Sequence, residues 1–374
     1  MINALKYLQV LLFVFMLFID TLLLAQDQEI DLGRNPEEFL FDIDEVELEV
    51  PELLKPGFHG FASINVPFSQ GMDEKASSRI SDQTELVLWF GTRIFKNLSF
   101  DTEFELENTF EKAEVDKFEL DWNIYEEKLV FRIGKFYYPF GIERFVTHAP
   151  SNKLIDRPTP SKKIIPGTYS DVGVELYGEI PFFNNNKMEF TYELALTNGL
   201  KGIGGRGRQE FVDDNNDNKA LGGRLGFEIM ECFEIGGSYS SGKYDDDEKY
   251  KIDFVGADIS FEKWGFEMRG EYIRSNVERS TEMGGDYDRD GYYFQASYTY
   301  SPKRNYLNYI EGVVRFDSVD PNDLETNDED ADRVAIGVNY SPMDYARIKF
   351  EYELENEATE TPEHKGFVQI VFSW

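Results

Sequence analysis

From residue 57 onward nearly every apolar residue of this chain belongs to a segment in which apolar and polar positions alternate. In "FELDWNIY", Phe118, Leu120, Trp122 and Ile124 alternate with Glu119, Asp121 and Asn123. "LSFDTEFELE" sets Leu98, Phe100, Phe104 and Leu106 against Asp101, Glu103 and Glu105. "ARIKFEYEL" sets Ile348, Phe350, Tyr352 and Leu354 against Arg347, Lys349, Glu351 and Glu353. A period of two is that of a β-strand, whose successive side chains point to opposite faces. The pattern predicts sixteen strands, near 57–68, 83–95, 97–109, 118–125, 128–138, 171–180, 187–198, 220–229, 233–242, 250–261, 264–274, 291–300, 306–317, 332–340, 345–354 and 365–374. The last of them, "FVQIVFSW", puts Val368, Ile370, Phe372 and Trp374 on one face and Gln369 and Ser373 on the other.

The connections alternate as well. Short turns at Lys96, Tyr125, Met230, Glu262 and Ser341 are separated by longer polar segments, the longest being Pro139–Ser170 and Gly199–Lys219. An even number of roughly ten-residue alternating segments, with tight turns at one end and loops at the other, marks an outer-membrane barrel. Unpaired backbone groups cost several kcal/mol each in hydrocarbon, so such a sheet must close on itself. The expected fold is therefore all-β: a 16-stranded antiparallel transmembrane β-barrel over 57–374, with short periplasmic turns and longer extracellular loops. Strand sixteen should pair with strand one, placing Trp374 in the interfacial aromatic girdle.

The first residues support export. Lys6 precedes an apolar run from Leu8 to Ile19, and Ala25 offers a small residue for cleavage. Residues 1–25 read as a signal peptide, and 26–56 as an acidic periplasmic segment. The net charge of -33 excludes nucleic acid as a partner, because phosphate needs a basic footprint. Aromatics make up 15% of the chain, too many for a disordered acidic protein. The single Cys leaves no internal disulfide framework.

The polar face of the strands should line a water-filled lumen for small ionic solutes, because sixteen tilted strands leave more room than side chains fill. The lining candidates are Arg132, Glu103, Glu105, Asp121, Glu175, Arg269 and Arg315. The apolar face should meet outer-membrane lipids. "RIGKFYYPFGIERF", Arg132 to Phe145, carries a G-x-x-x-x-P-F-G-x-E element and resembles the phosphate-selective porin O and P family. "YELALTNG" and "GYYFQASYTY" are similar to further segments of that family. The resemblance implies a homotrimeric porin whose third loop folds inward to narrow the pore, with basic side chains conducting phosphate or other anions. The third loop here carries Arg144, Lys153, Arg157, Lys162 and Lys163, while acids outnumber bases 71 to 38 in the whole chain.

Two further readings concern chemistry. The three His residues, His59, His148 and His364, form no Ser–His–acid set at one level of the barrel, so no enzyme is expected. A surface barrel used for adhesion or docking is the alternative, and it would call for large aromatic outer loops. In the sixth loop, "DYDRDG" places Asp286, Asp288 and Asp290 at alternate positions before Gly291. That spacing matches the start of a Ca²⁺ loop, in which hard carboxylate oxygens converge on one ion.

Overall fold

The computed structural model describes residues 57–70, 77–78, 84–107, 112–165, 169–182, 188–205, 207–208, 214–324, 330–357 and 362–374. The expected signal peptide (1–25) and acidic segment (26–56) lie outside these. Sixteen long strands follow one another: β1 (Gly57–Gln70), β2 (Thr84–Phe95), β3 (Leu98–Glu107), β4 (Lys112–Tyr125), β5 (Leu129–Tyr137), β6 (Ser170–Phe182), β7 (Met188–Thr197) and β8 (Ala220–Ile229). They continue with β9 (Phe233–Lys243), β10 (Lys251–Lys263), β11 (Phe266–Val277), β12 (Tyr287–Tyr300), β13 (Tyr309–Asp320), β14 (Ala331–Met343), β15 (Ala346–Glu357) and β16 (Glu363–Ser373).

Each strand pairs antiparallel with its chain neighbours, and β16 closes on β1, with Phe61 opposite Ser373 and Ile64 opposite Ile370. Gly60 and Trp374 exchange both backbone hydrogen bonds, at 3.1 and 3.0 Å. The barrel is closed, and each of the sixteen strands has two neighbours. Three tight turns use positive φ at two successive residues: Glu126 and Glu127, Met230 and Glu231, and Trp264 and Gly265. That left-handed pair matches the right-handed twist of the strands it joins.

The two faces separate as the alternation predicts. Leu225, Ile259, Phe294, Ile336, Phe350, Ile370 and Phe372 are exposed on the outside, while Glu103, Glu175, Arg224, Arg315 and Glu353 are buried within. Two strands begin four or more residues earlier than their pattern suggests. β4 starts at Lys112 rather than residue 118, and β12 at Tyr287 rather than residue 291. The extra residues pair across to polar partners, as Lys112 does with Glu107 and Arg274 with Asp288. Above the hydrocarbon both faces are free to be polar, so the period-two signal fades while the ladder continues. β13 begins later, at Tyr309, so the turn at 301–308 is longer than expected.

Ile336 is central on β14 and 53% exposed on the outer face. Ile336→Arg should destabilise the barrel by about 2–4 kcal/mol, the cost of a cation at the bilayer midplane. Denaturant unfolding in lipid vesicles measures this, and an unchanged midpoint would place that face away from lipid.

Candidate functional site

The lumen wall is a mesh of charges set by register. Asp121, Arg132 and Glu175 lie directly opposite one another across β4, β5 and β6. Cross-strand neighbours of opposite charge attract, and here they bond directly. Arg132 holds Asp121 at 2.7 and 2.8 Å and Glu175 at 3.1 Å. Arg224 on β8 binds Asp258 and Glu234, and Arg315 on β13 binds Asp317 at 2.9 Å. Glu103 accepts a hydrogen bond from Trp89 at 2.8 Å, and Glu105 is buried within hydrogen-bond reach of Asp116. Arg269 is also buried, with Nη2 3.6 Å from Glu143.

The segment between β5 and β6 seats itself against this wall. It begins with the Pro139–Phe140–Gly141 element, whose chemistry is now legible. Gly141 has φ +65°, and a Cβ there would lie 1.7 Å from Glu271 Oε1. Glycine adopts that backbone without strain, and only glycine permits that approach. Gly141 N–H donates to Ser238, the backbone N–H groups of Ile142 and Glu143 donate to Glu271, and Phe140 packs edge-on against Phe254. Farther along, Lys153 binds Glu311 and Glu267, and Glu351 accepts the N–H groups of Ile155 and Asp156. Thr159 donates to Asp317, Lys349 to the Asn152 carbonyl and Arg347 to the Pro150 carbonyl. The partners belong to β9, β11, β13 and β15, so the loop is fixed to widely separated parts of the barrel.

Of the five bases expected to act as one cluster, Arg144 and Arg157 line one cavity, and four have carboxylates close by. Arg144 pairs with Glu193, Lys153 with Glu267 and Glu311, and Lys162 with Asp156 at 2.6 Å. Arg157 Nε lies 3.8 Å from Glu143, and Lys163 ends the one-turn helix Pro160–Lys163. Arg144 and Lys153 thus meet carboxylates of the wall, and Arg157 and Lys162 meet carboxylates of the loop itself.

Two features escaped the sequence reading. The first is an apolar cluster inside the barrel: Tyr138, Phe140, Ile164 and Tyr169 pack with inward residues of β10 to β14, among them Ile252, Phe254, Ile273, Val277 and Val319. Loss of strict alternation in "YKIDFVG" (Tyr250–Gly256) was its available signal. The second is Arg289, wholly buried, which donates to the carbonyls of Ile164 and Gly204 and so ties the third loop to the fourth.

The Ca²⁺ loop expected at "DYDRDG" is corrected. Asp288 and Asp290 lie on strand β12, and Gly291 continues it opposite Ile273 rather than turning. Asp288 is held by Arg274 and Asn276, and Asp286 accepts the Arg279 N–H. An extended backbone spaces successive carboxylates along a line, so they do not converge on one ion.

His148 anchors the middle of the loop. Its Nε2 lies 2.6 Å from Glu103 and 3.0 Å from the Tyr137 hydroxyl, and its Nδ1 3.5 Å from Glu85. Burial alone would lower its pKa, but the bonds to Glu103 and Glu85 prevail and raise it to about 9. Asp156 is shifted oppositely: burial favours its neutral form, yet Lys162 and Arg333 hold it well below the usual carboxylate range. A raised histidine stabilises fully below its unfolded pKa, near 6.5. That contribution is lost as pH rises through about 9. Stability measured by denaturant titration should therefore fall between pH 6.5 and 9 by a component absent from His148→Gln, whereas parallel pH profiles for the two proteins would deny the tether.

Residues 170–357, about half of the chain, match the family model described as Gram-negative porin. A protein of Aquifex aeolicus (strain VF5), described as uncharacterized, is 29% identical over 189 residues, covering 46% of this chain and 42% of that relative. The matched region thus spans less than half of the relative's length. Among solved structures, the anion-selective porin from Comamonas acidovorans superposes with a TM-score of 0.63 at 12% identity, covering 85% of this chain and 99% of that one. OmpF of Salmonella typhi in complex with daunomycin gives 0.60 at 13%, covering 85% and 97%. The trimer form of OmpT, an outer-membrane protein of Vibrio cholerae, gives 0.56 at 10%, covering 85% and 99%. At these identities the likeness is one of fold. From the matched model and the closed barrel, the chain belongs to the Gram-negative porin family, whose place is the bacterial outer membrane.

Proposed function

We propose that the third loop is the constriction of this porin and that small cations pass it more readily than anions. The observation that carries the reading is the seating of the loop, which bonds to inward side chains on widely separated strands. A segment fixed across the lumen narrows what stays open. The charge preference rests on pairing. Arg144, Lys153 and Lys162 are each met by a carboxylate, so at longer range their fields are largely cancelled. Toward the turn end of the barrel, Glu189 and Glu228 lie directly opposite one another on β7 and β8, followed on β9 by Glu234, which Arg224 pairs. Like charges in such a row repel, and a passing cation relieves the repulsion. Phosphate conduction, which the PFG resemblance implies, would require those loop bases to face the solute. For the assembly we propose a homotrimer in outer-membrane lipid, by likeness to the Vibrio cholerae trimer, and the mass of the unheated detergent-solubilised species tests it.

Reversal potentials in a KCl gradient across planar bilayers test the selectivity. The expected sign is cation-selective, reduced in the double variant Glu189→Gln, Glu228→Gln; an anion-selective wild type would overturn the reading. The constriction has its own test. Gly141→Val unseats the loop from Glu271 without touching the outer face, so single-channel conductance should rise and become noisier. An unchanged conductance would place the limiting aperture elsewhere.

A further inference from the structure

We propose that Phe145 forms a stacking subsite in the lumen for solutes that combine a flat ring with a positive charge. The proposal deepens the reading of the third loop as the constriction and rests on it. Most apolar side chains of the loop are packed away: Phe140, Ile142, Ala149, Leu154 and Ile164 are all buried. Phe145 is the exception, with 57% of its surface open to water. It does not lie at the outer rim. The adjacent Arg144 binds Glu193, an inward residue near the middle of β7, which fixes this part of the loop at central depth.

The ring is held as well as exposed. The Arg144 guanidinium carbon lies 4.1 Å from the Phe145 centroid, and the same guanidinium is pinned by Glu193. A second arginine–aromatic pair stands on the adjoining wall, where Arg132 lies 4.5 Å from the Tyr177 centroid. Tyr177 is opposite Glu193 in the sheet. A solute at this level therefore meets an exposed aromatic ring, for which flat rings have offset-stacked affinity. The charge around it decides the kind of ring. Four carboxylates, Glu119, Asp121, Glu175 and Glu193, stand here among three bases, Lys117, Arg132 and Arg144. The excess of carboxylate acceptors, together with the π-face, favours a cation and disfavours an anion of the same shape.

Current block in planar bilayers tests this with benzylammonium, n-butylammonium and benzenesulfonate as probes. Benzylammonium should block the KCl current in a concentration-dependent way, and the other two about three- to tenfold more weakly. Phe145→Ala should keep the KCl current yet lose benzylammonium block by a similar factor, and Phe145→Tyr should retain it. Equal block of wild type and Phe145→Ala, or equal block by benzylammonium and n-butylammonium, overturns the subsite while leaving the channel intact. A wild type without KCl current overturns the channel reading itself, and the subsite with it.

Discussion

Backbone hydrogen bonding in hydrocarbon is the constraint from which the rest of this structure follows. A spanning strand has no water to satisfy its N–H and C=O groups, so every strand needs two partners. The join between β16 and β1 supplies the last pair, and Gly60 marks how close it is. A Cβ on Gly60 would lie 2.6 Å from the Val87 carbonyl and 2.8 Å from the Trp374 ring. Once the sheet is closed, each residue faces either lipid or lumen. Outward positions must be apolar, and polar side chains are confined to the inside.

Confinement creates a second problem, because the inside is crowded with charge. Removing an ion from water costs several kcal/mol unless a partner replaces the lost hydration. Asp317, with no exposed surface, illustrates the solution. It accepts hydrogen bonds from Arg315, Arg333 and Thr159 at once, so two strands and the third loop share one carboxylate. Loop and wall thus stabilise one another, and the loop's position is as fixed as that of the strands it touches.

The same arrangement gives the basic residues of the third loop individual partners. In a chain of this acidity they stood out as an anion path. In the folded barrel, Arg144, Lys153 and Lys162 are counter-charges to Glu193, Glu311 and Asp156. Among the large apolar side chains of the loop, Phe145 is the one that faces water, stacked on the Arg144 guanidinium.

Strand number, order, closure and the two faces were determined by the sequence alone, because alternation is a local property and closure follows from the solvent. Gly141 was likewise visible as part of a short motif, although its reason, the approach to Glu271, was not. Local pattern misled where the membrane ends: Asp288 and Asp290 resembled a turning loop but lie on β12, since strands outlast the apolar signal that reveals them. Only the tertiary structure decided how the lumen is filled. The bonds that seat the third loop join residues far apart in the chain, such as Ile155 to Glu351 across 196 positions. The apolar cluster around Phe254 and the Arg289 link between two loops are of the same long-range kind. No periodicity records such pairs. They arise when a closed barrel brings inward side chains from distant strands around one segment and burial requires each charge to find its partner.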